Sequence, residues 1–149
     1  MAVTGNVGCQ VGLIGAFSLR DAEGVPIAIQ GRRTRAMLAY LLLAPGQVAT
    51  RERLAALFWS ERGETQARSS LRQCLLELRG ALPKAEEELL VATRETVALS
   101  GSRFDCDAVK LQAALGNADW RAASVLIEQA GTARLLEDLE LRGEYREWL

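Results

Sequence analysis

The sequence predicts an α+β fold, running antiparallel sheet, three helices, β-hairpin and then further helices. Three observations carry that order. Apolar residues alternate before position 30, which is strand period. Leu71, Leu75, Leu78 and Leu82 recur at i, i+4, i+7 and i+11, which is one stripe of a helix. Two short β-prone runs then flank Arg94-Glu95, after the proline that stops the stripe.

Each element has a local reason. Over residues 9–29, Val11, Leu13, Phe17 and Leu19 alternate around glycines, Asp21-Ala-Glu-Gly24 is a turn signal, and Val25, Ile27 and Ile29 alternate again. Pro26 assigns that last run to a sheet edge. Residues 31–44 read as a helix whose first turns carry Arg32, Arg33 and Arg35, and Pro45-Gly46 ends it. Arginines at a helix start oppose the helix dipole. They suggest a nearby anion, although solvated side chains would look the same.

Thr50 is placed as the N-cap of a short helix with Leu54, Leu57 and Phe58 on one face; Arg53 at N3 rules out a capping box. Trp59-Ser-Glu-Arg-Gly63 is a loop. Residues 64–82 form the clearest helix, stopped by Pro83. Residues 89–91 and 96–99 are the strands of the hairpin. Residues 107–115, 120–130 and 135–149 read as helices, with Asp119 capping the middle one. A three-helix core closed by a terminal hairpin is winged helix-turn-helix architecture.

Composition removes several function classes. The chain has 149 residues, 49% apolar and 25% charged, so it is globular. It has no histidine, and Cys9, Cys74 and Cys106 show no C-x-x-C spacing, so no metal site is expected. They read as free thiols in a reducing cytoplasm. No apolar run reaches the ~18–20 residues of a membrane span, and no P-loop or catalytic constellation is present. We therefore expect no enzyme, no cofactor and no membrane partner.

The overall charge of −1 hides an asymmetry. Residues 30–84 carry ten Lys/Arg against four Asp/Glu, a net +6, while residues 101–149 carry six against nine, a net −3. Only the first segment suits phosphates.

The helix at 64–82 holds the chemistry. With the leucine stripe at zero, Arg68, Arg72 and Arg79 fall on one flank at ~60–100°, and Ser70 and Glu77 on the other. Gln66, Ser69, Gln73 and Gly80 point outward, with Leu76 near them. Arginine bonds guanine bidentately and glutamine bonds adenine, so this face suits a recognition helix. Arg68 and Arg72, early in the helix, are placed as base readers and Arg79 as a phosphate contact. A solvated outer face on an ordinary helix would show the same spacing. Leu76 fits a thymine methyl, a partner protein or plain solvent exposure. Arg94, at the hairpin tip, suits the minor groove, and Arg32, Arg33 and Arg35 suit phosphates. Trp59, Trp120 and Trp148 read as packing residues.

Three blocks, Gly31-Arg-Arg-Thr-Arg-Ala-Met-Leu-Ala-Tyr-Leu41, Arg51-Glu-Arg-Leu-Ala-Ala-Leu-Phe-Trp59 and Gln66-Ala-Arg-Ser-Ser-Leu-Arg-Gln73, resemble the SARP family of bacterial transcriptional activators. The DNA-binding domain of that family is similar to the OmpR/PhoB-type winged helix. The resemblance covers about residues 9–100. From residue 104 the chain looks like the start of the all-helical, TPR-like bacterial transcriptional activator domain, which in that family continues well past residue 149. A short homologue, a truncated product or an isolated domain is therefore expected.

The resemblance implies a domain division at 1–102 and 103–149, a four-stranded opening sheet, and a hairpin wing over residues 89–99. It implies sequence-specific binding of double-stranded DNA, at direct repeats, by a head-to-tail homodimer. Recognition positions fall at Arg68, Ser69, Ser70, Arg72, Gln73 and Leu76, with Arg79 on the backbone and Arg94 on the wing. The loop Trp59, Ser60, Glu61, Arg62, Gly63, Glu64 would meet RNA polymerase. One departure stands out: related helices carry bases late, where this chain has Leu76-Glu77. The competing expectation is a protein-interaction module on a winged-helix scaffold that has lost DNA binding.

Overall fold

The computed structural model of the chain describes residues 8–84, 88–100, 103–130 and 136. Two small sheets flank a helical core. In the first sheet, β1 (Cys9–Gly12) and β2 (Ser18–Asp21) pair antiparallel as the alternation predicts, with Val11 opposite Leu19. A third strand, β6 (Phe104–Cys106), joins the far side of β1 in parallel, with Cys9 opposite Phe104. The order is β2-β1-β6, so this sheet is mixed. The alternating run at 25–29 makes one bridge, Arg20 to Pro26, and no strand. Pro26 has no N–H with which to extend a ladder. Instead of the four strands that the resemblance implies, the described residues place three here, the third drawn from beyond the wing.

Helix α1 (Arg32–Leu43) lies at the centre of the molecule. Ala36, Met37, Leu38, Ala39, Leu41 and Leu42 are all buried, which is why its sequence is apolar nearly all round. A 3-10 turn (Pro45–Gln47) follows, in which Gly46 at φ 66° takes the left-handed conformation that lacks a Cβ penalty. The chain then forms β3 (Val48–Thr50) and α2 (Arg51–Phe58). Thr50 caps α2 as expected, its Oγ1 accepting from the Arg53 N–H at 3.0 Å.

Helix α3 (Glu64–Ala81) packs on α1 and α2 through Ala67, Leu71, Leu75 and Leu78, with Leu82 buried just past its end. Each buried leucine contributes about 1.5–3 kcal/mol of transfer free energy. The wing is β4 (Leu90–Ala92) and β5 (Thr96–Leu99), an antiparallel hairpin. β5 also pairs with β3, giving the order β3-β5-β4 and fastening the wing to the start of α2.

Helices α4 (Asp107–Gly116) and α5 (Trp120–Ala130) match two of the three expected after the wing. The Asp107 carboxylate accepts from the backbone N–H groups of Leu13 (2.8 Å), Ile14 (3.2 Å) and Ala108 (2.7 Å), tying α4 to the first sheet. Asp119 accepts from the Ala122 N–H at 3.1 Å, the cap its position suggests. Buried Leu136 donates its N–H to the Leu13 carbonyl at 2.7 Å. The rest of the expected helix at 135–149, with Trp148, lies outside the described residues.

The three cysteines are free thiols. Burial pushes those of Cys9 and Cys106, on neighbouring strands, up from 9.0 to about 11. Among the described residues no helix is long and apolar enough to cross a membrane, and no group of His, Cys, Asp or Glu is placed to hold a metal ion.

Candidate nucleic-acid interface

α3 presents an exposed ridge between two unlike flanks. Ser69, Gln73, Leu76 and Gly80 lie along the ridge, all exposed, Leu76 at 71%. The first flank carries Arg68, Arg72 and Arg79, all exposed. Arg68 pairs with Glu64 at 2.6 Å, one turn back, but both side chains stand in solvent at 68% and 79% exposure. Such a pair is worth only ~0–1 kcal/mol, so an incoming phosphate can exchange it. Arg72 and Arg79 form no ion pair among the described residues.

The second flank faces an open groove of about 1030 Å³ between α3, the start of α1 and the α2–α3 loop. Arg32, Arg33, Arg62, Ser69, Ser70 and Gln73 line it, which joins sequence-expected residues from three separate stretches. Arg62 donates to Ser70 Oγ at 2.7 Å, and Glu61 lies 3.2 Å from Arg33 and 3.9 Å from Arg62. Ser70 is thus half-buried and engaged. Glu61 is thus one anion beside an early arginine of α1, Arg33, in an exposed pair that a phosphate can exchange.

Glu77 brings a second acid to the start of α1. α1 has no local side-chain cap and no acid in its first turn. The Glu77 carboxylate reaches across from α3 and accepts from the Gly31 N–H at 3.1 Å and the Thr34 hydroxyl at 2.5 Å. A Cβ at Gly31 would stand 2.6 Å from Glu77 Oε1, so any larger residue there would push the carboxylate aside. Beside it, burial raises the Cys74 thiol pKa, partly offset by a hydrogen bond with Thr34. Glu77 therefore turns towards α1 and leaves the ridge to its neighbour Leu76.

Arg35 is not brought into this groove. It lines a smaller one of about 410 Å³ with Phe17, Arg20, Ile27 and Gln30, on the sheet side of α1. Arg94 stands exposed at the wing tip. The tip is braced by the Thr93 N–H donating to the Thr96 carbonyl at 2.8 Å and the Thr96 N–H donating to Thr93 Oγ1 at 2.9 Å. Arg51 adds a brace that sequence reasoning missed, with Nε donating to the Thr93 carbonyl at 2.7 Å and its own N–H to the Glu95 carbonyl at 2.9 Å. No local signal marks Arg51, because its partners lie more than forty residues along the chain.

In the loop at 59–64, Trp59 is 3% exposed and packs edge-on against Phe58 at 6.1 Å, whereas Ser60, Glu61, Arg62, Gly63 and Glu64 are exposed. A partner at this loop would meet those five residues, with Trp59 as their support.

Residues 28–98, which run from just before α1 through most of the wing, match the family described as "Transcriptional regulatory protein, C terminal". Among solved structures, the fold is similar to that of Mycobacterium tuberculosis EmbR in complex with a low affinity phosphopeptide. The TM-score is 0.66 at 22% identity, covering 89% of this chain and 38% of that one, so the present chain spans well under half of its length. No curated protein matches the chain. The match over 28–98 is to a transcription-regulator domain, and the likeness to EmbR shows the fold.

Proposed function

We propose that the chain binds double-stranded DNA sequence-specifically and activates transcription in the manner of the SARP family, with α3 in the major groove and the wing at the minor groove. One observation carries this reading: arginines border both sides of a narrow polar ridge, with Arg68, Arg72 and Arg79 on one side and Arg32, Arg33 and Arg62 across the groove on the other. The major groove, ~12 Å wide, admits a helix with little space to spare. Arg79 on one flank and Arg32, Arg33 and Arg62 on the other then meet the phosphates of both strands, while Ser69, Arg72, Gln73 and Leu76 face base edges. Arg68 reads a base from the first turns, and Arg94 enters the minor groove.

The finer assignments rest on the SARP resemblance. Two copies bind direct repeats head to tail, and the exposed loop residues Ser60 to Glu64 contact RNA polymerase. Residues 103–149 begin a TPR-like helical domain after a DNA-binding domain at 1–102. The protein works in the cytoplasm.

A second reading, a protein-interaction module, draws on exposed apolar surface: Leu76 on α3, and Leu115, Trp120, Val125 and Ile127 on α4 and α5. Selection of the purified protein against a randomised duplex library separates the two. Enrichment of a tandem repeat with half-sites about one helical turn apart is the expected result. No enrichment, together with no binding to mixed duplex at low salt, overturns the DNA reading in favour of the interaction module.

A further inference from the structure

We propose that Glu77 is a positioning residue of the DNA interface. By capping α1 from within the recognition helix, it holds Arg32 and Arg33 where they meet the phosphates of one strand. The inference rests on the DNA reading above and adds to it a residue whose charge has the wrong sign for contact with DNA.

The geometry points to a built joint and not to a chance approach. The first turn of α1 carries Arg32, Arg33 and Arg35 against the positive end of its own dipole, with no local cap. Its free N–H groups need an acceptor. Glu77 provides one at Gly31 and also satisfies the hydroxyl of Thr34, which is only 1% exposed and cannot turn to water. Gly31 leaves the space that the carboxylate occupies. Arg33 then reaches Glu61 of the α2–α3 loop at 3.2 Å, so one joint registers the start of α1 and the loop against α3. Without the carboxylate, the first turn of α1 loses its acceptor and its counter-charge together, and the two arginines lose their fixed position beside the groove.

The number of phosphates engaged reports this role, because log affinity falls with log salt at about 0.9 per phosphate contact. The experiment compares wild type, Glu77→Ala, Glu77→Gln and Thr34→Val as full chains. It measures affinity for a mixed-sequence duplex from 50 to 200 mM salt, base preference by library selection, and the Gly31 amide shift in an NMR spectrum. We expect Glu77→Ala to move the Gly31 amide and lose about two phosphate contacts. Its affinity would then drop about 12-fold less than that of wild type across this salt range, with base preference unchanged. Glu77→Gln, which keeps one acceptor oxygen, is expected to restore most of the slope.

A folded Glu77→Ala with the wild-type slope reduces Glu77 to a structural residue and overturns the proposal. A changed preference at one base pair also overturns it, since Glu77 would then be reading a cytosine amino group. Should Glu77→Ala not fold, Thr34→Val decides the matter, with a smaller loss of slope expected and an unchanged slope against the proposal. A wild-type chain that binds no duplex at low salt defeats the DNA reading itself, and the Gly31 shift still reports whether the cap exists.

Discussion

The two flanks of α3 hold charge in opposite ways. On the Arg68, Arg72 and Arg79 flank, the one ion-pair partner among the described residues is local, Glu64 a single turn away, and both members stand in water. On the Ser70 and Glu77 flank the partners come from other elements: Arg62 from the α2–α3 loop, eight residues before Ser70, and Gly31 and Thr34 from α1, over forty residues before Glu77. The first arrangement leaves cations available to a ligand at little cost. The second spends an acid and a hydroxyl on registering one helix against another. A basic face, the one we propose for DNA, is thus built by exposing arginines on one side and by using the acid on the other side internally.

The contrast between buried stripe and exposed ridge should give the largest effect. Leu78→Ala, at a fully buried site, should cost about 2–5 kcal/mol of stability in chemical denaturation. Leu76→Ala, two residues away, should change it by no more than ~0.5 kcal/mol. Similar losses at both positions would mean that the ridge is covered in solution.

Next in size are the exposed arginines. Arg72→Ala should cost about 1–3 kcal/mol of binding at one base position, seen as relaxed specificity there in a competition assay. Arg79→Ala should instead weaken all sequences alike and lower the salt slope by about 1. If both variants lose affinity uniformly, the flank only touches phosphates and the ridge alone reads bases.

The smallest effect tests the local pair. Glu64→Gln removes the partner of Arg68 and should alter stability by only ~0.5 kcal/mol or less, while leaving affinity for mixed duplex undiminished or slightly raised. A clear fall in affinity would show that Glu64 orients Arg68 and does not merely neutralise it.

Much of this arrangement was legible in the residues. The leucine stripe placed α3 to within a residue, two short β-prone runs found the wing, and N-cap preference found Thr50. Those signals are periodic or confined to a few neighbours, which is the range over which sequence speaks directly. The Phe104–Cys106 strand escaped because three residues carry no readable period and its partner β1 lies at the other end of the chain. The run at 25–29 has the alternation of a strand, yet only one bridge forms, since alternation cannot supply the donor that Pro26 lacks.

The sequence by itself determined where the buried leucine stripe of α3 lies and where positive charge accumulates. Each of these follows from spacing along one element and from composition. Its reading of Trp120 as a packing residue fails, since that side chain stands 64% exposed. Only the tertiary structure decided that Arg32 and Arg33 share a groove with α3 while Arg35 does not, that Arg51 braces the wing, and that Glu77 caps α1. Those facts depend on how helices and strands distant in sequence are set against each other. A carboxylate's role is fixed by the donors within about 3 Å of it, and packing brings those donors there.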